Sequence, residues 1–170
     1  LPDLSNPMFQ SILRSLTRAA EAQGYSVLVA EAISPQKEAG IARDARRQCD
    51  AVVLVSPRMD DLELEELVEQ ISPVVVLNRR SPASRFATVS IDYASGMSQL
   101  VEHLRGLGHH DLLYVAGPSR SAAHRARLGA LHSLADSDPA LTVHSIRGGS
   151  TMTDGYRIAE QVLASGTTAA

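Results

Sequence analysis

The stretch Ala51–Ile91, AVVLVSPRMDDLELEELVEQISPVVVLNRRSPASRFATVSI, decides how the rest of the chain is read. AVVLV at 51–55 and PVVVL at 73–77 are apolar runs without polar alternation, the pattern of strands buried on both faces. Between them Asp60, with Glu63 in capping-box spacing, opens a short helix. Strand, helix and strand in this order indicate a parallel sheet with helices on its faces. The rhythm then breaks. Only about ten residues, Asn78 to Ala87, precede the next strand-like stretch at Thr88–Ile91. A polar connection that short does not house the crossover helix of neighbouring parallel strands. The chain is therefore expected to leave its first sheet here, giving one unit over 1–87 and a second over 88–170.

The same alternation extends outward on both sides. Upstream, a helix is expected from Pro7 to Gln23, capped by Asn6, begun by Pro7 and stopped by Gly24. Its apolar stripe is Phe9, Ile12, Leu13, Leu16 and Ala20. A strand from Tyr25 to Ala30 and a helix from Ser34 to Gln48 complete that side. Downstream come a helix over Ser95–Leu107, strand LLYVAG, a helix over Ala122–Ala135, strand LTVHSI and a helix over Thr153–Ala164. Both ends read as cut: a helix opening at residue 7 leaves little room for a strand before it, and the last helix leads into none.

Composition narrows the function. The chain has 170 residues, and Leu, Ile, Val and Phe make up a quarter of them, enough for a buried core. No apolar run approaches the length of a membrane span, and LPDLSNPMF lacks a secretory pattern. The single cysteine, Cys49, makes no internal disulfide, so a cytoplasmic location fits, although a cleaved signal would leave no trace. A net charge of −3, without tryptophan and with two Phe, argues against direct nucleic-acid binding by this part of the chain.

Catalytic signals are missing from the pattern. The six histidines fall in no zinc-type spacing, and no phosphate loop, nucleophile elbow or dinucleotide fingerprint follows a strand. No catalytic residue, metal or cofactor is therefore expected. The informative positions sit where strands end and helices begin, the ligand-binding edge of open α/β sheets. They are Asn6 with Met8 and Phe9; Ser56 with Arg58; Asn78 with Arg79; Asp92 with Tyr93; Ser119 to Arg127, Ser121 included; and Gly148 to Ser150. Each also has a plain structural reading. Asn6 and Asp92 serve as helix caps, Phe9 belongs equally to its helix's apolar stripe, and Arg127 sits near Arg120 and Arg125 as a surface arginine would.

Together, PDLSNPMF, GYSVLVAEA, CDAVVLVSPR, PVVVLNRR, VSIDYASGMSQLVEHLRGLGHHDLLYVAGP, ARLGAL and DGYRIAEQVL resemble the effector-binding region of LacI/GalR-type bacterial transcription regulators. The resemblance covers essentially the whole chain, and HLRGLGHHDLLYVAGP is its most specific part. It implies a two-lobed, periplasmic-binding-protein-like α/β fold, each lobe a parallel sheet flanked by helices, here truncated at both ends. It further implies a homodimer that takes a sugar or other small polar effector in the inter-lobe cleft, and operator DNA only through an amino-terminal helix-turn-helix domain lying outside this sequence. The ligand contacts it implies are Met8, Phe9, Asn78, Arg79, Asp92, Ser121, Arg127 and Ser150. Asn at 78, where an Asp is common, Met8 and Ala130 depart from the family pattern and leave the effector open. An extracytoplasmic sugar-binding protein of a transport system shares this architecture and is the alternative.

Overall fold

The computed structural model describes residues 1–80 and 86–165. It divides into two compact units, Leu1–Ile91 and Asp92–Ala170.

The first unit opens with α1, Pro7–Glu21, whose start is set as its sequence suggests: the Asn6 side chain accepts from the Met8 amide at 2.9 Å and Pro7 stands at the first helical position. A short 3-10 turn at Pro35–Lys37 leads into α2, Glu38–Arg46. Then come β1, Val52–Val55; α3, Asp61–Ile71; β2, Val74–Leu77; and β3, Ala87–Val89. Asp60 caps α3 by accepting from the Glu63 amide at 2.8 Å.

All three strands run parallel in the order β1-β2-β3, with Val52 opposite Val74 and Val75 opposite Ala87. Their inner side chains Val52, Val74 and Val76 meet Ala39 and Ala42 of α2 and Leu64, Leu67, Val68 and Ile71 of α3. Leu64, Leu67 and Val76 are fully buried. Each such side chain contributes roughly 1.5–3 kcal/mol of apolar transfer, and this cluster is what holds the unit together.

Two expectations are corrected here. The strand near Thr88 is β3 of the first sheet, and the division between units falls after Ile91 instead of after Ala87. The crossover-length argument fails because β3 is only three residues long. At about 3.3 Å per residue the return path is roughly 10 Å, within the reach of the nine residues between Leu77 and Ala87. Second, Tyr25–Ala30 has no regular secondary structure and pairs with no strand among the described residues. Beside it, the Leu1 amino group donates to the Ala30 carbonyl at 3.1 Å and the Ala32 amide to the Leu1 carbonyl at 2.8 Å. A strand requires a partner along its length. Here Tyr25 and Leu28 stay exposed, and a groove of about 820 Å³ runs between this segment, α1 and β1.

The second unit comprises α4, Tyr93–Gly106; β4, Asp111–Ala116; α5, Ala122–Ser137; β5, Thr142–Arg147; and α6, Met152–Ala164. β4 and β5 pair in parallel, Asp111 opposite Thr142 and Ala116 opposite Arg147. Gly108, at φ +88°, ends α4 with backbone that glycine adopts without strain. Val101, Leu131 and Leu141 form the core, with Met97, Leu112, Tyr114, Leu134 and Val143 packed against them. Among the described residues, no helix is long and apolar enough to cross a membrane.

Candidate functional site

In each unit the sequence-selected residues follow the carboxyl ends of parallel strands or open helices, as open α/β sheets require of ligand-facing positions. In the first unit, the Ser56 amide donates to the Leu77 carbonyl at 2.9 Å and the Asn78 amide to the Val89 carbonyl at 2.7 Å, so both residues extend the sheet beyond β1 and β2. Both then turn into left-handed backbone, φ +49° at Ser56 and +61° at Asn78. The Asn78 side-chain amide donates to the Ser56 hydroxyl at 2.8 Å.

The two sequence-selected arginines of this unit, Arg58 and Arg79, bond to protein acceptors. Arg79 is 2% exposed. Its guanidinium donates to the carbonyls of Pro57 (3.1 Å) and Met59 (2.5 Å) and to the Asp61 carboxylate (2.5 Å). It therefore shapes the segment between β1 and α3, and its donors face protein acceptors. Arg58 donates through Nε to Glu38 at 2.5 Å and also to the Ala32 carbonyl, while its own amide donates to Glu38 at 2.7 Å. Nothing in the sequence pairs Glu38 with Arg58, because the two lie on separate elements. Of the pair opening α1, Met8 is 38% exposed and Phe9 is buried at 8%. The apolar stripe of α1 accounts for Phe9.

In the second unit three helix starts carry the candidates. Asp92 accepts from the Ser95 amide at 3.1 Å and caps α4; Ser121 accepts from the His124 amide at 3.2 Å and caps α5. Ser150 is exposed just before α6, whose Thr151–Asp154 capping box closes reciprocally. Bonds from the Thr151 hydroxyl and backbone hold the Asp154 carboxyl below its usual range. Gly148 lets β5 approach β4 closely, since a Cβ there would lie 2.6 Å from Val115 Cγ1 and 2.8 Å from the Ala116 carbonyl oxygen.

Arg127 differs from the other two arginines. Its guanidinium carbon lies 5.2 Å from the centre of the Tyr93 ring, and among the described residues it makes no hydrogen bond or ion pair. Beside it, His124 is buried, its Nδ1 3.0 Å from the Tyr114 hydroxyl and its ring stacked on the tyrosine at 5.8 Å. Burial, followed by the charges of Arg127 and Arg125, pushes the His124 pKa down, so the imidazole is neutral at pH 7. A histidine two turns of sequence away from any strand partner carries no signal of this pairing. Among the described residues no three of His, Cys, Asp or Glu gather as metal ligands.

Each unit is a parallel α/β layer whose polar helix starts follow its strand ends, the edge at which open α/β sheets take ligands. Residues 1–169 match the model described as periplasmic binding proteins and sugar binding domain of the LacI family, and the chain belongs to that family. It is 28% identical over 131 residues to the HTH-type transcriptional repressor CytR of Escherichia coli, covering 75% of this chain and 38% of that protein. It is 23% identical over 168 residues to catabolite control protein A of Priestia megaterium, covering 96% and 51%. The chain thus spans about half or less of the length of these relatives. The Cra transcriptional dual regulator of Pseudomonas putida, solved in complex with fructose 1-phosphate, superposes with a TM-score of 0.81 at 26% identity, over 97% of this chain and 62% of that one. The operator-bound lac repressor dimer shares the fold, with a TM-score of 0.82 at 21% identity, over 96% and 58%.

Proposed function

We propose that this chain is the effector-sensing region of a cytoplasmic LacI-type transcription regulator. It takes a sugar or similar small polar metabolite and works as a homodimer, with operator DNA held by a helix-turn-helix domain elsewhere in the protein. The observation that carries the proposal is the family match along 1–169, in a chain whose relatives include the HTH-type transcriptional repressor CytR. Asn78, Asp92, Ser121, Arg127, Ser150 and the exposed Met8 are the ligand contacts on this reading. Phe9 and Arg79 support them from within the fold, as their burial suggests.

Sensing is then a matter of differential affinity, without bond chemistry. An effector moves DNA affinity only by binding one arrangement of the regulator better than another, and couplings of this kind amount to about 1–3 kcal/mol. Arg127 suits this role because its guanidinium lies over the Tyr93 ring and makes no hydrogen bond or ion pair among the described residues.

The test is a thermal-shift and calorimetry panel of sugars, sugar phosphates and nucleosides on the chain. A true effector at a hundredfold over its Kd stabilises by roughly 2.7 kcal/mol, and Arg127→Ala should lower its affinity at least tenfold. A panel without binders, or an Arg127→Ala variant that binds as tightly as the parent, would overturn the proposal.

A further inference from the structure

The start of α5 is anchored by a histidine where an aliphatic side chain would be expected. Of the sixteen residues of α5, His124 and Leu131 are buried, and Leu131 lies two turns further on, in the core with Val101 and Leu141. Ala122 and Ala123 are half-buried and Arg125 and Ala126 exposed, so the first turn is held through the His124 ring. That ring stacks on Tyr114 of β4, 3° from parallel with centroids 5.8 Å apart, and its Nδ1 lies 3.0 Å from the Tyr114 hydroxyl. The connection from β4 to α5 meets the same point. A Cβ at Gly117 would lie 3.5 Å from the His124 Cβ, and the His124 amide donates to the Ser121 hydroxyl at 3.2 Å.

Among the described residues, the surroundings of this ring disfavour a second proton. With Tyr114 donating to Nδ1, a proton placed on Nδ1 reverses the bond and sends the hydroxyl hydrogen in search of another acceptor. His124 is the third residue of α5, where the partial positive charge of a helix start opposes a cation. Burial, followed by the charges of Arg127 and Arg125, acts in the same direction. β4 turns Asp111 to the sheet face opposite Tyr114, while β5 places Arg147, another cation, on the face of Tyr114 and His144 on the other. On α4, Tyr93 lies beneath Arg127 and the Asp92 carboxylate accepts from the Ser95 amide; Glu102, His103 and Arg105 stand at the far end, where Arg105 pairs with Asp138 at 2.8 Å.

We propose that His124 is a pH-sensitive latch: neutral, it pins the first turn of α5 and the connection from Gly117 to Ser121 onto β4, and protonated, it releases them while the core around Val101 and Leu131 stays packed. The inference goes beyond the effector-sensing reading and requires no effector. Because the released stretch carries Ser121, mild acid loosens one part of the strand-end edge and leaves the rest of the unit folded.

The experiment follows the chain by NMR between pH 7.5 and 5, reading the His124 ring nitrogens, the Overhauser contact between the Tyr114 and His124 rings, the amides of Ser121 to Arg125 and, as reference, the Val101–Leu131 contact. His124 should titrate below the ordinary histidine value of about 6.5. The ring contact should fade and the amides of Ser121 to Arg125 should shift at that same midpoint, with the Val101–Leu131 contact retained. Tyr114→Phe keeps a ring for the stack but removes the bond to the neutral imidazole, so release should begin at higher pH. His124→Phe removes the titration, and its helix start should stay ordered at pH 5; should that variant fold poorly, the parent titration and Tyr114→Phe still decide. A ring contact that persists through the His124 titration, or a helix start that loosens equally in His124→Phe, would overturn the latch. Loss of the Val101–Leu131 contact at the same midpoint would overturn it as well, by showing that the whole unit unfolds.

Discussion

The side-chain amide of Asn78 donates to the hydroxyl of Ser56 at 2.8 Å, tying two left-handed residues that leave neighbouring parallel strands. Asn tolerates this backbone better than most L-residues, and its amide reaches across to the adjoining turn. The bond makes the ends of β1 and β2 a single edge.

Asn78→Ala should therefore destabilise the chain by about 2 kcal/mol, combining left-handed strain with a lost hydrogen bond. Asn78→Gly should cost about half as much, because glycine removes the strain but not the missing bond. Urea unfolding midpoints of the two variants check the order; equal losses would mean that the backbone conformation at 78 carries no strain.

Arg79 yields the largest single loss. Arg79→Met leaves the Pro57 and Met59 carbonyls without their buried donor and should cost about 2–4 kcal/mol, the effect of two unsatisfied buried acceptors, while the exposed Asp61 carboxylate is solvated in its place. Ligand affinity of the fraction that remains folded should stay within twofold. A stable Arg79→Met variant with lost affinity would instead make Arg79 a ligand contact.

His124 makes stability fall in mild acid. Its folded pKa lies below the ordinary histidine value of about 6.5, so the folded state binds fewer protons than the unfolded one. Its contribution is complete above pH 6.5 and declines as pH drops from 6.5 through the folded pKa. Chemical denaturation between pH 7.5 and 5 should show this decline, and His124→Gln should flatten the part of the curve just below pH 6.5.

Gly148→Ala should cost about 1–3 kcal/mol, because the added methyl meets both the Val115 side chain and the Ala116 carbonyl. Adding Val115→Ala should recover only part of the loss. The Ala116 carbonyl is fixed by accepting from the Gly148 amide at 2.9 Å, whereas Val115 is 44% exposed and able to move. Full recovery in the double variant would show that the carbonyl contact is relieved elsewhere.

Much of this architecture is legible in the sequence alone. Asn6 with Pro7, Asp60 with Glu63, and Gly108 act through bonds and backbone preferences within one turn of chain, so α1, α3 and α4 start or stop where their residues indicate. AVVLV and PVVVL announce strands, but the expected burial on both faces is met only in part: Val52, Val55, Val74 and Val76 are buried, while Val53 is 40% exposed and Val75 and Leu77 are half-buried. The candidate edge is readable because strand ends and helix starts are local features.

Pairing between distant segments was decided only by the tertiary structure. β3 joins the first sheet because a three-residue strand needs only a short return, a matter of distance that residue pattern does not encode. Tyr25–Ala30 has the composition of a strand, yet strand formation depends on which backbone lies alongside. Arg79 and Arg127 look alike in sequence; one is enclosed by Pro57, Met59 and Asp61, the other lies over the Tyr93 ring with no acceptor for its donors among the described residues. What an arginine does depends on the acceptors that folding brings within 3 Å of it, and those come from other parts of the chain.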